Sequence, residues 1–498
     1  MLAVDLMHER EILSASGVAL ARAIRERRVT SRVVVGAHID RARHVNPGLN
    51  AIVRDRYDAA LREATEADEK TASVHRDDLP PLHGVPCTIK EAFAFEGMPN
   101  TAGLYARRDI VATEDATVVA RMRAAGAIPL GVTNISELCM WFESQNKVWG
   151  RTNSAYSAHR TAGGSSGGEG AIVGAGASPI GLGSDVGGSI RMPSFFNGVF
   201  GHKATGGIVP STGSYPPAHN DMQRFVTCGP IVRRAEDLMP VLRIVAGPDG
   251  VEERCVPCEL GDPSAVDLKK LTVITVEKGP GSVQRELIEA QRRAADALAA
   301  AGATVERREI PSLSRSFEIW SAMMHEGRAG GRGKSSSFRE LMAEGGTFAP
   351  WRELALLAMP FRESRYTLPG LLLTLFEELP ARLTARTNRI LALGKELAAE
   401  LALVLGDRSV MLYPSFPRVA PRHNTPLLAP FQFAYTAIFN VMEMPSTQVP
   451  LGLDASGLPL GVQVVAPRKA DHVTIAVAMA LETALGGWQA PERFSVRT

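Results

Sequence analysis

Strand-like and helix-like segments alternate along this chain from end to end, which predicts one large α/β domain. Two further observations support a single unit. No stretch is rich enough in Pro, Ser or charge to serve as a linker, and no internal repeat divides the 498 residues. Hydrophobic residues make up 45% and charged residues 22%, so a sizeable core is available.

The elements follow in order. Residues 6–28 alternate apolar and charged positions at helical spacing, and Thr30-Ser31 read as a cap before a second helix at 32–44. "AIVRDR" at 51–56 reads as a strand and 58–73 as a polar-faced helix. Turn-rich Pro80–Pro86 leads into the strand "CTIKEAF" at 87–93, and 117–134 is helix then strand. After a glycine-rich run at 161–191 come a strand at 271–276, a helix at 283–301 ending at Gly302, and a strand at 303–310. Strands at 409–416 and 458–466 and a helix at 472–485 close the chain. Residues 314–384 differ, being dense in Met, Leu, Trp and Phe with prolines between helices. They read either as core helices or as a helical cap lining a substrate channel.

Composition narrows the function. Lys plus Arg number 55 against 53 Asp plus Glu, a formal charge of +2 that gives no reason to expect nucleic acid as partner. Five cysteines are too few and odd in number for a disulfide scaffold, and Cys255-Val-Pro-Cys258 lacks the second pair a zinc site needs. No signal peptide is visible, and no run reaches the roughly 18 apolar residues of a spanning helix. The expectation is a soluble, cytoplasmic protein without membrane anchor, metal or cofactor.

The run "TAGGSSGGEGAIVGAGASPIGLGSDVGGSIR" carries the chemistry. Flexible linkers lack aliphatic residues, whereas Ile172, Val173, Ile180, Leu182 and Val186 sit among these glycines, as where helix and strand approach closely. Gly174-Ala-Gly176 and Gly181-Leu-Gly183 begin a dinucleotide fingerprint but lack its third glycine, and no Lys-Ser or Lys-Thr completes a P-loop. Gly163 to Gly167 match the nucleophile elbow GxSxG at Ser165, yet no apolar strand precedes it. Nothing singles out a partner among His202, His219, His325 and His423. A serine activated without histidine remains, for which a lysine is the usual base. Lys90 lies within an apolar strand, where burial disfavours the cation and a neutral amine can take a proton. An ion pair with Glu91 or a distant carboxylate is the other reading.

Lys90, "GGSSGG" and "GSDVGGSIR" together resemble the amidase signature family, and the resemblance runs from "HGVPCTIKE" at 83–91 to "GLPLGVQVVA" at 457–466. Within it the chain is similar to the fatty acid amide hydrolases of the second vertebrate type and to bacterial amidases and urethanases. The segments "ELCMWFESQNKVWGRTNSAY", "GGSSGGEG" with its Glu169, "GSDVGGSIRMPSFFNGVFGHK" and "CGPIVRRAEDL" carry that likeness. It implies a central mixed, mostly parallel twisted sheet flanked by helices over 1–498, with 314–384 as a helical substrate-cap insertion. It implies Ser189 as nucleophile, Ser165 as bridging serine on a cis peptide, and Lys90 as base. The N–H groups of Val186, Gly187, Gly188 and Ser189 would form the oxyanion hole, with Ser166 and Asp185 supporting. Cys139, Met140, Trp141 and Phe142 would line the substrate pocket, and Arg191 would pair with a structural carboxylate.

The implied activity is C–N bond hydrolysis in hydrophobic acyl or aryl amides, extending to carbamates and esters, by a monomer or homodimer. A glutamine-hydrolysing subunit of an amidotransferase and a catalytically silent binding protein are the alternatives.

Overall fold

A computed structural model describes residues 7–329, 336–344, 346–359, 364–376 and 384–494. Its strands are β1 (Ile52–Asp55), β2 (Val85–Lys90), β3 (Ala127–Thr133), β4 (Gln145–Asn146), β5 (Gly150–Arg151), β6 (Ile180–Asp185) and β7 (Phe200–Lys203). They continue with β8 (Thr227–Val232), β9 (Thr272–Thr275), β10 (Thr304–Arg307), β11 (Ser409–Tyr413), β12 (Ser446–Leu453) and β13 (Pro459–Val465). Eleven form one sheet in the order β1-β3-β2-β6-β8-β7-β12-β13-β11-β9-β10, while β4 and β5 make a separate hairpin.

This is the single α/β domain expected, built on a mixed sheet. Pairing is parallel in two blocks, β3-β2-β6 and β11-β9-β10, and antiparallel between them and at β1. Every residue of β2, β3, β8 and β13 is buried, as strands covered by helices on both faces must be.

Local chemistry moves several boundaries. The helix expected over 6–28 is two, Glu9–Ser14 and Gly17–Arg25, because Ser16 starts the second by accepting from Ala19 N at 3.0 Å. Thr30 caps the helix Ser31–Leu49, whose end is set by Asn50 in the left-handed conformation. The strand expected to run to Phe93 stops at Lys90, where Phe93 N turns back to Lys90 O at 2.9 Å. Lys90 therefore stands at a strand terminus rather than inside one. The strands β7, β8 and β12 at the middle of the sheet were not anticipated. Each is short or broken by glycine or proline, such as Gly229-Pro230 and Pro450, so neither alternation nor an apolar run marks it.

The glycine-rich run divides into a helix, Gly167–Gly174, and β6. A Cβ at Gly170 would lie 2.7 Å from Pro193 O, and one at Gly174 2.7 Å from Asn197 O. These glycines let the helix lie against Arg191–Phe196 at backbone distance. Within 314–384 the described residues form helices Ser316–Ala329, Phe338–Ala343, Pro350–Ala358 and Leu368–Phe376. Residues 330–335, 345, 360–363 and 377–383 of that span lie outside the described residues.

Candidate active site

In open α/β sheets, functional groups gather where parallel strands end, because the following loops converge there. Here β2 ends at Lys90 and its parallel neighbour β6 ends at Ser184-Asp185. Lys90 is fully buried, and its Nζ hydrogen-bonds Ser165 Oγ at 2.6 Å and Ser184 Oγ at 3.0 Å. Ser165 follows a cis peptide from Gly164. Ser166 N donates to Ser189 O at 3.3 Å, which brings the two ends of the glycine-rich run together. Exposure rises from 0% at Lys90 through 1% at Ser165 to 7% at Ser189, while Ser184, the other hydroxyl on Lys90, is half-buried.

Lys90 has serine partners rather than a carboxylate. The neighbouring Glu91 faces away and accepts from Thr101 N and Thr101 Oγ1, both at 2.6 Å; its burial pushes its pKa up to about 7. Glu169, on the Gly167–Gly174 helix, accepts from Thr88 Oγ1 at 2.5 Å and Thr133 Oγ1 at 2.8 Å. Thr88 shares Lys90's strand face and Thr133 is Lys90's register partner, so Glu169 joins β2 to β3 at the base of the site. Burial raises the Glu169 pKa to about 8, against those hydroxyls and the charge of Lys90.

Asp185 organises the loop after β6. It accepts from Gly188 N at 2.7 Å and Ile190 N at 3.0 Å. It also pairs with the fully buried Arg191, through Nε at 3.1 Å and a terminal guanidinium nitrogen at 3.0 Å. Burial alone would raise the Asp185 pKa, but the Arg191 charge and these hydrogen bonds hold it well below the usual carboxylate range. Arg191 thus meets a structural carboxylate, as the sequence implied. Of the four N–H groups expected as oxyanion donors, that of Gly188 is taken by Asp185. Those of Val186, Gly187 and Ser189 have no acceptor among the described residues. Ser166 donates its own N–H to Ser189 O and its Oγ to Ser184 O, both at 3.3 Å.

The segment 139–142 parts in two directions. The backbone at Trp141 and Phe142 packs on Gly164, where a Cβ would lie 2.6 Å from Trp141 O. Phe142 continues into an aromatic group with Trp141 at 4.5 Å, Phe416 at 5.9 Å and Phe433 at 6.1 Å. Phe433 in turn stands beside Gly187, within 3.4 Å of where a Cβ would be. Cys139 and Met140 instead join a separate apolar cluster with Leu341, Met342, Phe348 and Tyr366, away from these rings.

Three loop partners were not anticipated. Asn440 Nδ2 donates to Asp185 O at 3.0 Å, Trp320 Nε1 to Val186 O at 3.0 Å, and Thr436 Oγ1 to Gly187 O at 2.8 Å. Thr436 and Asn440 stand four residues apart on one face of the apolar helix Ala434–Val441, a spacing visible in "AYTAIFN". Among the described residues no three His, Cys, Asp or Glu side chains converge as metal ligands would, and no helix is long and apolar enough to cross a membrane.

Comparison with known proteins places the chain in a family. A family model described as Amidase matches residues 33–475. Fatty-acid amide hydrolase 2-A of Danio rerio is 46% identical over 98% of this chain and 91% of its own length. Fatty-acid amide hydrolase 2 of Homo sapiens is 45% identical over 97% and 91%. Among solved structures, 6-aminohexanoate cyclic dimer hydrolase superposes with a TM-score of 0.79 at 25% identity, covering 97% of this chain and 99% of that one.

Proposed function

Because the chain belongs to the amidase family, we propose that it cleaves C–N bonds of hydrophobic amides through Ser189, Ser165 and Lys90. The observation that carries this reading is the 2.6 Å contact between the buried side chains of Lys90, at Nζ, and Ser165, at Oγ.

In its neutral form Lys90 takes the proton of Ser165, Ser165 takes that of Ser189, and Ser189 Oγ attacks the amide carbonyl carbon. The carbonyl oxygen becomes an oxyanion facing the free N–H groups of Val186, Gly187 and Ser189. Such donors act most strongly where they are fixed in advance, and losing one typically costs about 10²–10³ in rate. The relay then runs in reverse and protonates the leaving nitrogen as the C–N bond breaks. An amine departs, an ester to Ser189 remains, and water releases the acid by the same steps. A relay that returns its proton suits amides, whose nitrogen leaves poorly unless protonated.

The rings of Trp141, Phe142 and Phe433 beside this loop favour apolar or aromatic acyl groups, as does the resemblance to fatty-acid amide hydrolase 2. Helices of 314–384 act as the cap over that side. A carbamate carbonyl enters the same relay, giving a carbamic acid that loses carbon dioxide, and an ester enters it with an easier leaving group.

The test is a panel of p-nitroanilides of rising acyl length with matched carbamates and esters. Wild type is expected to prefer the longer or aromatic acyl groups, and Ser189→Ala to be inactive on all. Retained turnover in Ser189→Ala would overturn the mechanism.

A further inference from the structure

Each trans peptide carries a carbonyl and the next residue's N–H on one rigid plane, pointing in opposite directions. A group that fixes the carbonyl therefore aims the N–H. Along the loop after β6, three consecutive carbonyls are held from outside the loop, each by one side chain. Asn440 holds that of Asp185, Trp320 that of Val186, and Thr436 that of Gly187.

The three anchors are not equivalent. The Thr436 hydroxyl has a second acceptor, Phe433 O at 2.8 Å, and the plane it touches carries Gly188 N–H, which Asp185 already takes. Asn440 is tied into the Asp185–Arg191 network, its Oδ1 accepting from Arg191 at 2.6 Å. The indole N–H of Trp320 has one acceptor, Val186 O, and no other donor among the described residues reaches that oxygen. The plane it fixes carries Gly187 N–H, one of the free donors. Trp320 belongs to the helix Ser316–Ala329, and its ring meets Phe433 edge-on at 5.0 Å, beside Gly187.

We propose that Trp320 is a positioning residue of the oxyanion hole: its N–H locks the Val186–Gly187 peptide plane so that Gly187 N–H faces the reacting carbonyl oxygen. The first helix of the cap span thereby takes part in catalysis through the backbone, without touching the reacting atoms. The inference rests on the reading of Ser189 as nucleophile.

Two variants test it. Trp320→Phe keeps an aromatic ring against Phe433 and removes the N–H. Replacement of Trp320 by benzothienylalanine keeps the bicyclic shape and puts sulfur where the N–H was, should the smaller ring fail to support folding. Phenylboronic acid serves as probe, since its tetrahedral serine adduct places an oxygen in the oxyanion hole. The expected result is a fall in kcat of about tenfold, smaller than loss of a donor itself. The phenylboronate Kd should rise by a similar factor, with KM and the unfolding midpoint unchanged. A purely packing role would move KM or the midpoint and spare the boronate affinity, which overturns the inference. So would wild-type kcat and boronate affinity in the benzothienylalanine form. Wild type that neither labels at Ser189 with a fluorophosphonate nor binds phenylboronate would overturn the underlying reading, and the inference with it.

Discussion

The block β3-β2-β6 and the helices of 314–384 are built in opposite ways. The block is closed. Lys90, Glu169, Asp185 and Arg191 are all buried, and each polar group is met by several partners over short distances. Described polar ties between 314–384 and the rest include those of Trp320 to Val186, Thr367 to Glu137, and Arg107 and Tyr215 to Glu344. Several of its apolar side chains are exposed, Trp351 at 72% among them. The contrast teaches that the proposed chemistry would sit in a densely satisfied network, while several polar ties of 314–384 stand apart from one another, where substitution or pH can address them singly.

The largest effect should come from within the block. Lys90→Ala removes the proposed base, and kcat/KM on a p-nitroanilide is expected to fall by about 10²–10⁴ with the unfolding midpoint little changed. Activity within tenfold of wild type would mean that the block is not the seat of the chemistry. Next comes the ion pair beneath the loop. Asp185→Asn strands the buried Arg191 charge, and breaking such a pair costs about 3–5 kcal/mol, read as a drop in the unfolding midpoint. A midpoint equal to wild type would show that Arg191 finds compensation elsewhere.

The smallest effect concerns the cap. Glu137 Oε2 accepts from Thr367 N at 2.9 Å and Thr367 Oγ1 at 2.7 Å, just before the helix Leu368–Phe376. Burial raises its pKa to about 7, against those hydrogen bonds and the charge of Lys147. A carboxyl whose pKa is higher folded than unfolded contributes stability that is full at low pH and lost as pH rises through the folded value. Protection of the amides of 368–376, corrected for intrinsic exchange rates, should therefore decline between pH 5.5 and 8. Glu137→Gln should flatten that decline; an unchanged slope would move the effect to another group.

Much of the site was legible because its chemistry demands particular side chains. The residues alone point to Ser165 through GxSxG and to Lys90, and the family resemblance of "GGSSGG" and "GSDVGGSIR" adds Ser189; Lys90 stands at the end of β2 and Ser189 in the loop after β6. Backbone direction was not legible. Nothing in the residue names says that Gly188 N–H turns to Asp185, or that Trp320 meets a carbonyl, because every residue carries the same peptide group. Cys139 and Met140 are as apolar as Trp141 and Phe142, so only tertiary packing could separate them. The strands β7, β8 and β12 escaped for a related reason. Their place at the middle of the sheet is fixed by neighbours on both edges, which overrides the weak local preference of "FGHK" or "TCGPIV".

The graded enclosure of Lys90, Ser165 and Ser189 has a consequence for proton traffic. On the proposed mechanism Lys90 and Ser165 exchange the proton as a buried pair, and the half-buried Ser184 is the other hydroxyl on the lysine. On that mechanism the proton that Ser189 gives up during attack passes through Ser165 to the lysine and returns to the departing nitrogen. A relay of this kind would let the proton that leaves the nucleophile be the one that releases the amine.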